Sequence, residues 1–447
     1  MRIYISVDDF KEIFSLALLF LGIYLLFFRK YIYSLLDPLL SYLVSLSFSS
    51  VLVANTLAIT QPVYAYHFFL CHFFLFVGYV LISYKFSIKK AYPSTSVVKY
   101  TDYYSFKVVL YILIVLYFLS NVVLFLTTGF ALLADDPSRA KVENPQVGYA
   151  ILSQINAGVG SFLLTGLLFL LLYKPKFTDC ALLIIVVVLS SLSGAKGALV
   201  QVGVIMGLIA NQSMFKSNAK IRSVTKLVTP LVLIIMLSIP FIVYGKESGS
   251  SELAVVNFVT RLLMSADSTL YFYQPVNEQY FAHFHFWEYP VYLFNSTLDF
   301  LRIRPGIEAH GNTMLRNVIN NYNVVASGPN TPYYIEGQIY FGYYGAFAYS
   351  AIIGAVFAYS RYYFFNKQFT SIFSFVLVAC IANHFSVILG EVTMGFFNAF
   401  LTCFFVLPVY LFVRFIIQNK GKILIRRSSV NVSWLQLKKA IALNSLK

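Results

Sequence analysis

Apolar runs long enough to cross a lipid bilayer recur along most of this chain, separated by short polar connections. A crossing helix needs about 17–25 predominantly apolar residues. Eleven segments follow that pattern, at 12–28, 39–59, 64–84, 108–129, 149–172, 177–193, 197–212, 227–244, 337–359, 370–390 and 392–413. The prediction is an all-α polytopic integral membrane protein. Two connections are long, 130–148 and 245–336, and the second is by far the largest polar excursion. The chain therefore divides into helices over 1–244, a large loop over 245–336, further helices over 337–413 and a basic tail over 414–447.

Composition agrees with the pattern. Of 447 residues, 59% are hydrophobic and 11% charged, against about 25% charged in soluble domains. That excludes an ordinary soluble enzyme, and 44 Phe with 34 Tyr exclude a disordered chain. The net charge of +15 does not indicate a nucleic-acid partner, because the Lys and Arg are strung between apolar runs as topology signals. With the carboxyl end in the cytoplasm, most basic residues fall on that side, while Asp135, Asp136, Glu143, Glu288, Glu308 and Glu336 fall on the other. The two long connections then face outward. The start, MRIYISVDDFKE, is acidic where a basic leader region would stand, so the first apolar run reads as an anchor.

The short inner connections hold no nucleotide-binding motif, so no cofactor is expected, and ATP-driven pumps and nucleotide-sugar transferases are excluded. Cys71, Cys180, Cys380 and Cys403 lie in apolar runs without metal-ligand spacing, and no metal is expected. His67 and His72 share no helical face well enough for a metal pair and read as packing residues.

Chemistry is therefore sought in the outer loops, where function is usually carried. Residues 255–276 and 283–306 place aromatics at helical spacing, as a helix lying on the membrane surface would, or as a floor for stacking sugars. Arg139, Lys141, Lys196, Lys246, Arg261, Arg302, Arg304 and Arg316 stand on the face where cations are depleted. Arginine grips phosphate bidentately and stays charged in a low-dielectric site, so a cluster suits a diphosphate. The competing expectation is pairing with nearby acids, as for Arg139 among Asp135 and Asp136, or Arg261 before Asp267. Lys196 sits in SSLSGAKGALVQVG, a break between helices whose second helix would point its N-terminus at an anion. The run 306–347 supplies His310, which can titrate near neutrality, Arg316, which can bind an anion, and Glu336 at the membrane edge, an acceptor or base. Gly337, Gly342 and Gly345 are spaced to let a neighbour come close.

LLDPLL (35–40), DDPSRAK (135–141), SGAKG (193–197) and GPNTPYYIEGQIYFGYYG (328–345), in a many-span chain with one dominant outer loop, resemble the O-antigen polymerase (Wzy-type) family of oligosaccharide repeat-unit polymerases. The resemblance implies a GT-C-like membrane glycosyltransferase of the bacterial inner membrane, active on its periplasmic face. It would join undecaprenyl-diphosphate-linked repeat units, one as donor and one as acceptor, with a chain-length regulator as a further partner. By that resemblance Arg139, Lys196, Arg302, Arg304 and Arg316 would hold the diphosphates. Deprotonating the acceptor hydroxyl needs a carboxylate or imidazole within reach, for which Glu336 and His310, beside Arg316, are the candidates. A lipid-linked oligosaccharide flippase and an O-antigen ligase are the competing readings. The flippase would place charge along a central path within the spans.

Overall fold

The computed structural model describes residues 9–88, 102–130, 150–192, 198–216, 251–264, 267–320 and 330–417, with Leu133, Ile221 and Pro230. Among the described residues the secondary structure is entirely helical. The first half carries α1 (Phe10–Phe28), α2 (Pro38–Asn55), α3 (Pro62–Ile88), α4 (Tyr103–Thr128), α5 (Ala150–Tyr173), α6 (Phe177–Leu192) and α7 (Ala198–Ala210). The large loop carries α8 (Ser251–Leu263), α9 (Asp267–Phe272), α10 (Pro275–Phe281) and α11 (His310–Ile319). The chain closes with α12 (Tyr333–Asn366), α13 (Ile372–His384) and α14 (Val392–Ile417).

Eight of the described helices are long and apolar enough to cross a membrane, against eleven expected along the whole chain. The segments expected at 177–193 and 197–212 are helices of 16 and 13 residues, short of the usual crossing length. The segment expected at 227–244 lies outside the described residues, apart from Pro230.

Side chains bury into two apolar cores. One joins α1, α2, α3 and the loop helices to α12, and the other joins α4 to α7 with α13 and α14. The functional groups considered below lie beside the first.

Helix α12 is not one straight rod. Gly342 has φ +73° and ψ 180°, a left-handed conformation that only glycine adopts without strain. A Cβ placed on Gly337 would come within 3.1 Å of the Ala346 Cα. A straight helix would hold residues nine apart at about 13 Å, from its rise of about 1.5 Å per residue. The chain therefore reverses at Gly342, and residues 333–341 fold back along residues 343–366. The outer limb, 343–366, packs against α3 through two glycines. A Cβ on Gly354 would lie 2.1 Å from the Leu75 carbonyl oxygen, and one on Gly78 would lie 1.8 Å from that of Ala351. Helices in lipid associate through such close backbone approach. Gly354→Ala is expected to force the helices apart at a cost of about 1–3 kcal/mol, the usual cost of overpacking, read as a lowered unfolding midpoint in detergent.

A buried ion pair fixes the other end. Asp37 accepts from the Leu39 backbone N–H at 2.9 Å as the N-cap of α2, with Pro38 in the first turn. Arg361 donates to both Asp37 oxygens, at 2.9 and 2.7 Å, and to the Tyr31 carbonyl at 3.0 Å. Both residues are buried. In the second core, Asp102 accepts from the Ile372 and Phe373 N–H groups at 2.8 and 3.1 Å and from the Ser371 hydroxyl. A carboxylate there complements the positive N-terminal end of α13.

Candidate functional site

The loop helices are pinned to the folded-back limb of α12 by buried polar contacts. The Thr269 and Tyr334 hydroxyls share a hydrogen bond of 2.8 Å, and Tyr273 donates to Gln338 at 2.7 Å. Asn277 donates to the carbonyls of Tyr271 and Met314, at 2.8 and 3.0 Å, and accepts from Asn317. That binds α10 to α11. Glu278 accepts from Tyr64, tying α10 to α3.

Between α2, α3, the loop and the start of α12 lies a polar cavity of about 190 Å³. Arg261 and Asp267 line it from the loop, Ser45 and Ser49 from α2, and His72 and Tyr334 from below. Arg261 is solvent-exposed and His72 is buried, so the cavity runs from an open mouth to an enclosed floor. His72 Nδ1 lies 2.7 Å from the Phe68 carbonyl. A carbonyl only accepts, so Nδ1 carries the proton and Nε2 is the acceptor of the neutral ring. Burial raises the Asp267 carboxyl to about 6, against the opposing pull of the Ser268 N–H and the Arg261 charge. A carboxylate with that value holds or releases a proton near neutrality, as a general base must. The cavity also receives Asn330 and Pro332, where residues 333–341 begin with no side-chain cap.

The residues predicted from sequence are distributed differently. Arg139 and Lys196 lie outside the described residues. Arg302 closes the short helix Asn295–Phe300 in the left-handed conformation, φ 57°, and is exposed. Arg304 follows it in a self-contained turn, where Asp299 takes the Gly306 N–H at 3.1 Å and Asn295 brackets Ile307. It too is exposed. Arg316 is paired with Glu308 at 2.7 Å, and its Nε is buried without a hydrogen-bond partner. Arg302, Arg304 and Arg316 do not line the polar cavity.

Glu336 and His310 are brought into one aromatic cluster. Glu336 is fully buried, because the reversal at Gly342 folds residues 333–341 back along the rest of α12. Its Oε2 accepts from Tyr349 at 3.3 Å, Tyr349 bonds Tyr289, and Oε1 has no partner. His310 is buried, stacked on Tyr292 at 3.9 Å and bonded to Tyr340 at 2.7 Å. Burial pushes its imidazole down to about 3. It is neutral at every physiological pH and does not titrate near neutrality.

The cavity is the feature that spacing alone missed. Arg261 belonged to the set of misplaced cations, but Asp267 six positions on made it look merely paired. His67 and His72 do act in packing: the His67 ring contacts the Tyr273 hydroxyl and the Tyr343 carbonyl, while His72 also floors the cavity. No protein-family profile, characterised protein or solved structure matches this chain.

Proposed function

We propose that this protein is a membrane glycosyltransferase that polymerises undecaprenyl-diphosphate-linked oligosaccharide repeat units at the outer face of the bacterial inner membrane. The observation that supports it is the polar cavity, which holds a cation at its mouth and a proton-accepting carboxylate beside it. In the reaction, the bond between the anomeric carbon of the donor glycan and its diphosphate oxygen breaks. The acceptor hydroxyl oxygen bonds that carbon, and its proton passes to a carboxylate. The products are an elongated lipid-linked glycan and a free lipid diphosphate. The diphosphate gains charge as it leaves, and preorganised cations lower the barrier by stabilising that charge.

Arg261 takes the cationic role first assigned to Arg302, Arg304 and Arg316, since it lines the cavity. Asp267 takes the role of base in place of His310, whose imidazole is too weakly basic. The sign of the pH dependence follows. Asp267 is ionised above about 6, so transfer is expected to fall about tenfold per pH unit below that value and level off above it. Asp267→Asn is expected to give a slow rate that is flat across the same range in an assay with purified lipid-linked units.

A flippase reading draws support from one feature, the folded-back limb carrying the buried, unpaired Glu336 oxygen. Broken helices and lone carboxylates at membrane depth mark transport paths. Deleting the gene separates the two. Cells left with a surface glycan of a single repeat unit support the polymerase. Loss of all surface glycan, with units stranded on the inner leaflet, overturns it in favour of the flippase.

A further inference from the structure

Where the loop helices meet the apex of α12 there is a separate hollow of about 280 Å³. It lies at the loop-side end of the spans, for the Tyr343 hydroxyl donates to the Val63 carbonyl at 3.3 Å and so ties the Gly342 reversal to the start of α3. Gly342 and Ala282, both exposed, form its mouth. It shares no lining residue with the Arg261 cavity.

Its wall is aromatic. Phe272, Phe281, Phe284 and Tyr340 follow one another with ring centroids 6.0, 5.4 and 5.9 Å apart. Among the described residues no Lys or Arg lines the hollow, and Glu278 is its one charged group. The Glu278 Oε1 accepts from Tyr64, itself stacked on Tyr273 at 3.8 Å, while Oε2 has no hydrogen-bond partner among the described residues. Most other polar atoms of the lining are already engaged. The Gln338 oxygen accepts from Tyr273, the Tyr340 hydroxyl is bonded to His310 and the Tyr343 hydroxyl to Val63. A sugar ring needs polar partners for several hydroxyls, and an apolar ligand would strand the carboxylate. A small organic cation needs neither, because ring faces and one negative charge attract it without hydrogen bonds.

We infer that this hollow is a binding site for a small organic ammonium ion, with Glu278 as its counter-ion and the rings of Phe281, Phe284 and Tyr340 as its cage. The site stands apart from the proposed glycosyl transfer, whose groups line the other cavity. Its ligand chemistry is carried both by a free quaternary amine such as choline and by the headgroup of a zwitterionic phospholipid.

The test is calorimetric titration of the full chain with choline, in nanodiscs of phosphatidylglycerol alone. Saturable binding is expected, with none by the neutral isostere in which carbon replaces the nitrogen. Glu278→Gln keeps an oxygen for Tyr64 but removes the charge, and is expected to weaken choline binding about tenfold or more. Phe284→Leu keeps the wall apolar but removes a ring, and is expected to weaken it about fivefold. Adding phosphatidylethanolamine to the discs lowers the apparent choline affinity where the headgroup is the natural occupant, and leaves it unchanged where the free ion is. Equal binding by the carbon isostere or by a neutral monosaccharide overturns the inference. Unchanged affinity in Glu278→Gln, or no saturation in the unaltered chain, overturns it too, and each of these results leaves glycosyl transfer standing.

Discussion

Arg261→Ala is expected to abolish chain extension in cells while the protein still accumulates in the membrane. One charge-stabilising donor removed from a preorganised site costs about 10²–10³ in rate, or about 2.7–4 kcal/mol of barrier. Arg261→Lys keeps the charge but loses the bidentate fork that suits a diphosphate, so an intermediate effect is expected: shorter chains at a reduced rate. The informative comparison is with Arg302→Ala and Arg304→Ala, whose side chains are exposed and away from the cavity. Those two are expected to leave the glycan ladder close to normal. A ladder shortened by either exposed arginine, and unchanged by Arg261→Ala, would move the site to the loop surface.

Asp37→Ala is expected to be the most destabilising single change in the bundle. It removes the partner of a buried guanidinium, which costs about 3–5 kcal/mol through the uncompensated charge left behind. The N-cap of α2 adds about 1 kcal/mol more. Arg361→Met in the same chain is expected to recover part of the loss, because removing both charges avoids the stranded ion. Thermal unfolding in detergent, read for the two single variants and the double variant, gives the coupling directly. Additive losses would mean that the pair contributes nothing beyond its separate contacts.

The spans with long apolar runs were legible because bilayer thickness sets a length that sequence reports directly. Direction is not reported that way. The segment around 337–359 has the length and apolarity of a crossing, yet its first limb doubles back, and the change of direction rests on the left-handed backbone of Gly342. The glycine spacing pointed to close approach there, but not to a reversal. Arg361 had the signature of a topology signal at the end of a span, whereas it is buried against Asp37, 324 residues earlier. Pairing over that distance leaves no local pattern.

The candidate site was legible in kind more than in place. Cations misplaced against the topological rule were the right population to search, and Arg261 was among them. What sequence did not supply was which one meets a cavity, since that depends on Thr269 of α9 and Tyr273 just after it docking on the limb that the reversal creates. Glu336 and His310 do share a neighbourhood, but burial there changes what each can do.

The separation within the Asp37–Arg361 clamp has a consequence for biogenesis. At about 5–20 residues per second, the 324 residues between the partners delay Arg361 by about 16–65 s after Asp37 leaves the ribosome. Throughout that interval the nascent chain carries a carboxylate without its counter-ion, and the early spans are inserted but unlatched. The clamp therefore closes only once α12 has been made, and slower translation of the second half lengthens the interval before it does.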